Sequence, residues 1–139
     1  MVILGIDLGR ARTGLAVCDQ AELLAVPLCV LQERNREALL EQIAAKAAER
    51  KAELLVVGLP KNMDGSEGEA ALSAREAAAS LAGKTGLPVK LCDERGTTIT
   101  AHHYLNDTNT RGKKRKAAVD AVAATVILQN FLDQRHRAV

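Results

Sequence analysis

Residues 2–31 break into three short apolar, β-branched runs, VILGIDL, TGLAVCD and LLAVPLCVL, divided by a turn containing Gly and Arg and by the polar DQAE. Such runs predict three strands joined as hairpins. The period then changes. Leu39, Leu40, Ile43, Ala44 and Ala47 share one helical face while Glu41, Lys46 and Arg50 stay off it, which predicts an amphipathic helix capped by Asn35 and running through Lys51. AELLVVGLP is apolar too continuously for a half-buried strand and predicts a fully buried one, ended by Gly58 and Pro60. After the loop KNMDGSEGE, the spacing of Ser66 and Glu69 matches a capping box opening an Ala-rich helix that closes near Gly83 or Gly86. PVKLCDE predicts a fifth strand with Pro88 at its start, where a missing N–H is tolerated. TTITAHHYL predicts a short helix capped by Thr97 or Thr98, NDTNTRGKKRK a polar loop, and residues 117–135 the last helix.

An antiparallel meander followed by βαβ crossovers gives an α/β fold: a five-stranded mixed sheet with helices on both faces. The 139 residues are expected to form one domain over 1–139. Its core must be aliphatic, because Tyr104 and Phe131 are the aromatic residues and there is no Trp. That composition excludes a base-stacking platform built of several rings. Cys18, Cys29 and Cys92 have no CxxC spacing and each sits in an apolar run, as expected for reduced thiols packed as small hydrophobes. With no basic-then-apolar leader and no apolar run of membrane-spanning length, a cytoplasmic protein without membrane association is expected.

Charge changes the picture at one place. The net charge is +2, yet Arg111, Lys113, Lys114, Arg115 and Lys116 crowd into RGKKRK with no acid among them, leaving the rest of the chain net negative. Such a segment suits either a polyanion or a solvated loop.

Three acids fall where burial normally excludes charge. Asp7 stands at the end of the first strand, beginning the turn GRARTG, and is either a metal ligand or an Asx turn former. Asp93 and Glu94 end the fifth strand, and alternation puts Glu94 on the face of Lys90 and Cys92. Asp120 interrupts KAAVDAVAATVIL on the face of Ala124, Ile127 and Phe131, away from the polar arc of Thr125, Gln129 and Asp133. A lone carboxylate there is costly unless it pairs with a cation, whether a Lys, an Arg or a metal. If all three converge at one sheet edge, their mutual repulsion calls for a divalent ion, and oxygen ligands without His or Cys select Mg²⁺ or Mn²⁺. His102, His103 and His136 lack ligand spacing and are expected at the surface.

GIDLGRARTG, VVGLPKNMDGSEG, KLCDERGTT and KAAVDAVAATVIL, in this order along nearly the whole chain, resemble the YqgF-type nucleases. These are small bacterial proteins of ribonuclease H-like fold, related to RuvC-type Holliday junction resolvases. The resemblance implies that Asp7, Glu94 and Asp120 are the catalytic, metal-binding acids. It further implies 5′-end maturation of the small-subunit ribosomal RNA precursor, pre-16S rRNA, or resolution of branched DNA. The chain departs from the family pattern at Ala11, where Lys is frequent, and at Gly96, where Leu is usual.

The expected mechanism is phosphodiester hydrolysis with two ions about 4 Å apart, held by Asp7, Glu94 and Asp120. Arg10, Arg12, Asn62, Arg95 and the basic residues Arg111, Lys113, Lys114, Arg115 and Lys116 are the expected nucleic-acid contacts, gripping backbone rather than bases. Partners would be structured RNA or branched DNA, with ribosomal precursor particles, and the protein a monomer or a homodimer. Two rivals stand beside this. A non-catalytic nucleic-acid-binding module keeps the fold without the chemistry. A phosphotransfer enzyme is suggested by the Asp-x-Gly turn, but it needs a second lobe and a second Gly-rich loop that the chain does not have.

Overall fold

The computed structural model describes residues 1–93 and 112–137, and of residues 112–120 the backbone alone. Its elements are β1 (Ile3–Asp7), β2 (Arg12–Cys18), β3 (Ala25–Gln32), α1 (Arg36–Glu49), β4 (Leu54–Leu59), α2 (Glu69–Thr85), β5 (Val89–Asp93) and α3 (Gly112–Arg137).

The strands form one sheet in the order β3-β2-β1-β4-β5. β1 to β3 are antiparallel neighbours, while β1, β4 and β5 run parallel. This is the expected mixed sheet, with β1 at its centre.

Strand alternation sorts side chains onto two faces. Leu4, Ile6, Leu15, Val17, Leu55, Val57 and Leu59 pack with α1 and α2, whereas Ile3, Ala16, Cys18, Leu54, Val56 and Cys92 pack with α3. β4 is buried throughout, which is why its apolar run does not alternate.

Each helix can be traced to its sequence signals, with two corrections. Asn35 caps α1 as expected, its Oδ1 accepting from Ala38 N at 2.9 Å. Gly86 ends α2 in the left-handed conformation at φ 70°, its N–H donating to the Ala82 carbonyl. The capping box is not formed. The N-cap of α2 is Gly68, which contributes no side-chain bond, because the Ser66 hydroxyl is instead 2.6 Å from Asp64 Oδ1 and accepts from Asn62 Nδ2 at 2.9 Å inside the preceding loop.

The second correction concerns the basic segment. Gly112 to Lys116 belong to the first turns of α3, which begins at Gly112 rather than near 117. Lys and Arg are good helix formers, and here that propensity outweighs the loop-like look of a charge run. The short helix expected around 97–105 lies outside the described residues.

α3 is seated closely on the sheet at Gly5. A Cβ there would lie 2.8 Å from Leu128 Cβ and 3.3 Å from the Ala124 carbonyl oxygen. Ala124, Ile127, Leu128 and Leu132 are fully or almost fully buried along the contact. Two polar clamps fix the far end. Gln129 accepts from Ala25 N at 2.9 Å and donates to the Leu23 carbonyl at 3.2 Å. Arg135 Nε donates to Glu22 Oε1 at 2.6 Å, and the other Glu22 oxygen takes the Met1 ammonium at 2.8 Å. The hydrogen bond from the Met1 ammonium, more than any other single cause, and the Arg135 guanidinium hold the Glu22 carboxyl below its ordinary range.

The three cysteines are free thiols, with Cys18 and Cys92 buried and Cys29 half-buried. Burial pushes the Cys18 and Cys29 thiols up, away from the reactive thiolate. No helix among the described residues is long and apolar enough to cross a membrane.

Candidate functional site

Asp7 is the last residue of the central strand and only partly exposed. Ile3 belongs to the core on the α3 side and Leu4 and Ile6 to the other, so alternation places Asp7 on the α3 face. Its cross-strand neighbour in β2 is Gly14. On the β4 side the register pairs Ile6 with Val57, which brings Gly58 alongside. The carboxylate therefore stands between two strands whose adjacent residues have no side chain.

This sharpens the role of the glycines. Gly14 is a strand residue opposite Asp7, not part of the turn as expected. Gly9 does serve the turn, since a Cβ on it would collide with the Arg12 carbonyl oxygen. The Gly9 N–H donates to the buried Thr13 hydroxyl at 3.4 Å. Asp7 accordingly ends a strand that is held by ladders on both sides and followed by a turn with no room to relax.

α3 runs antiparallel to β1, since Arg135 meets Glu22 beside Met1 while Ala124 and Leu128 cross Gly5. Asp7 lies two strand residues beyond Gly5, roughly 7 Å. A helix covers that distance in about four to five residues, so the backbone near Asp120 passes the Asp7 end of β1. The side chain of Asp120 is outside the description, as are Glu94, Arg95 and Arg111.

Cys92 packs on the α3 face, its thiol 3.8 Å from the Ile127 carbonyl. The register of β5 therefore agrees with the alternation expected from the sequence up to Asp93. Among the described residues no three His, Cys, Asp or Glu side chains cluster as a metal site. Of the expected triad, Asp7 has its side chain among the described residues. Its surroundings suit a hard cation: a carboxylate on a strand paired on both sides, flanked by Gly14 and Gly58.

The two arginines of GRARTG part company. Arg12 opens β2 on the same face as Gly14, Ala16 and Cys18, hence on the side of Asp7. Arg10 lines a cavity of about 310 Å³ on the α1 and α2 side, together with Arg36 and the first turn of α2. Sequence reasoning did not single out Arg36, which looks like any helix-surface charge until α2 is folded against α1. Asn62 is exposed but committed to its own loop, its N–H donating to the Ser66 carbonyl at 2.8 Å and its amide to the Ser66 hydroxyl. Asp64 is likewise a loop former, bonding Ser66 N at 2.9 Å.

Comparison with known proteins agrees with this architecture. A family model described as "RuvX: Holliday junction resolvase" matches residues 1–134. A protein of Anaeromyxobacter sp. (strain Fw109-5) named "Putative pre-16S rRNA nuclease" is 50% identical over 98% of this chain and 99% of its own length. A protein of the same name from Thiobacillus denitrificans is 44% identical over 96% of this chain and 92% of its own. Among solved structures, Thermus thermophilus RuvC in complex with a Holliday junction superposes with a TM-score of 0.64 at 18% identity, covering 100% of this chain and 98% of that one. The fowlpox virus Holliday junction resolvase does so with a TM-score of 0.58 at 11% identity, over 96% and 99% of the two chains. These likenesses establish the fold as that of the RuvC-like, ribonuclease H-like resolvases. On the match over nearly its whole length, the chain belongs to the RuvX family of Holliday junction resolvase-like nucleases.

Proposed function

We propose that the chain is a divalent-metal-dependent nuclease that hydrolyses phosphodiester bonds in structured RNA, processing the 5′ end of pre-16S rRNA. The observation that carries this is the 50% identity, over 98% of the chain, with a protein named "Putative pre-16S rRNA nuclease". Asp7, Glu94 and Asp120 would hold the ions, whose chemistry is to lower the pKa of water and to stabilise charge on the phosphate oxygens. Asp7 contributes a fixed origin for that site, because its strand is paired on both sides.

The remaining residues bind and orient the substrate. Arg12, on the face of Asp7, neutralises charge on the strand near the scissile bond. Lys113, Lys114, Arg115 and Lys116, with Arg95 and Arg111, hold the backbone. Such contacts give affinity that falls steeply with salt and carries little sequence preference. Shape is then what selects the substrate. Hydrolysis would leave a 5′-phosphate and a 3′-hydroxyl.

A second reading is favoured by the family description itself: resolution of four-way DNA junctions. One experiment separates the two. Purified protein is incubated with Mg²⁺ or Mn²⁺ and either precursor RNA or a four-way DNA junction, alongside Asp7→Asn and Asp120→Asn. Metal-dependent cleavage of RNA, lost in both variants, supports the proposal. Cleavage of the junction alone moves the assignment to DNA, and cleavage that survives both substitutions removes the proposed site. Binding without cleavage of either substrate favours a non-catalytic module.

A further inference from the structure

We propose that the cavity beside β1, on the α1 and α2 side of the sheet, is a subsite for the nucleic-acid backbone, holding one sugar-phosphate unit adjacent to the one at Asp7. The inference rests on the nucleic-acid reading above but not on catalysis. At about 310 Å³ the cavity is of small-ligand size. Arg10 and Arg36 both line it. The Arg36 guanidinium is held in place by the Ser73 hydroxyl at 2.7 Å and the Ser73 carbonyl at 3.4 Å, which orients it while leaving N–H donors unused. Arg10 forms no hydrogen bond or ion pair among the described residues. A planar guanidinium already positioned and a second one unengaged are suited to phosphate oxygens.

The opposite wall is the first turn of the 17-residue helix α2, Glu69 and Ala70, which has no side-chain cap and so adds main-chain donors. Among the described lining residues, Glu69 is the one opposing charge. No lining residue among those described is aromatic, so they offer nothing for a base to stack on. The cavity reads charge and backbone instead.

Position ties the cavity to the proposed active site. Gly9 and Arg10, which line it, are two and three residues beyond Asp7. Asp7 faces α3 and the cavity faces α1 and α2, so a strand anchored here bends over the carboxyl edge of the sheet to reach Asp7. A duplex must open or branch to follow that path, which makes the cavity a device for selecting irregular structure.

The test measures binding, without turnover, of a fluorescently labelled RNA hairpin with a single-stranded tail, in EDTA, across a salt series. Arg10→Ala and Arg36→Ala are each expected to weaken binding several-fold and to lower the slope of log K against log salt by about 0.7–0.9. Glu69→Gln is expected to tighten it. Arg50→Ala, at the other end of α1, is expected to match the wild type. Arg10→Ala removes no bond among the described residues, so it decides the matter even if Arg36→Ala unfolds. Wild-type affinity and slope in Arg10→Ala overturn the proposal. An RNA that does not bind the wild type at all overturns it together with the nucleic-acid reading. In a parallel NMR titration, RNA should shift the amides of Gly9, Glu69 and Ala70. Shifts there with inorganic phosphate but not with RNA would assign the cavity to a free anion and overturn the backbone subsite.

Discussion

Gly5 of the central strand and Leu128 of the last helix meet so closely that a single methyl group on Gly5 would stand 2.8 Å from Leu128 Cβ. Because the Ala124 carbonyl is also within 3.3 Å, the helix backbone itself, and not only a flexible side chain, would have to move. Gly5→Ala is expected to destabilise the protein by about 1–3 kcal/mol, the usual cost of overpacking. Displacing α3 also displaces the backbone around Asp120, so nuclease activity should fall further than the loss of folded protein accounts for. Chemical denaturation and a single-turnover assay on the same preparation check both parts.

The turn after Asp7 is equally intolerant. Gly9→Ala would drive a Cβ into the Arg12 carbonyl, a main-chain atom with no alternative position. The expected outcome is a loss of more than about 2 kcal/mol, in the range of backbone strain and lost hydrogen bonds. Gly83→Ala, whose added Cβ meets nothing within 4 Å, should be neutral or slightly stabilising and serves as the control.

If Asp7 binds a divalent ion as proposed, that ion stabilises the folded chain by mass action. Mg²⁺ or Mn²⁺ at a hundred times its dissociation constant should add about 2.7 kcal/mol and raise the melting temperature. Asp7→Asn should abolish the increase, read in each protein as the difference between its melting temperatures in metal and in EDTA. An equal metal-induced rise in wild type and variant would show that the ion binds elsewhere.

Acid should weaken the clamp between α3 and the β2–β3 connection. The Glu22 carboxyl is held below its usual range by the Met1 ammonium and by Arg135. Its contribution is therefore complete above the unfolded carboxylate value of about 4.3 and is lost as pH falls through the lower folded value. Glu22→Gln should melt below the wild type at pH 7, and the difference should shrink steadily once the pH drops beneath about 4.3. A gap that stays constant with pH would place the stabilisation in packing rather than charge.

Local signals with one dominant cause were readable from the sequence. Asn35 before a clear apolar period marked a cap, and the glycines after the Ala-rich run marked its end, which the structure places at Gly86 rather than Gly83. The mixed character of the sheet, antiparallel and then parallel, followed from the change between hairpin and crossover spacing. Signals with competing uses were not. Ser66 had the spacing of a cap, yet Asp64 lay closer and took its hydroxyl. Lys113 to Lys116 have the charge density of a loop and the residue types of a helix, and the helix prevails. Gly14 looked like turn chemistry because its strand partner, Asp7, becomes visible only through register. Asp7 itself stood out, being a charge at the end of an apolar run. Arg36 did not, because nothing in a helix-surface arginine reveals the cavity that a later helix will build around it.

β1 is the only described strand whose two neighbours run in opposite senses, antiparallel β2 and parallel β4, and the ladders on both sides reach toward its carboxyl end. Opening that end means breaking both ladders, which for a central strand is equivalent to unfolding the molecule. Amide exchange around Ile6 and Asp7 should accordingly proceed through global opening, at the slow limit set by total stability. The position of Asp7 is thus inherited from the fold as a whole. Any destabilising change, however remote, shortens the fraction of time for which that carboxylate exists in its place.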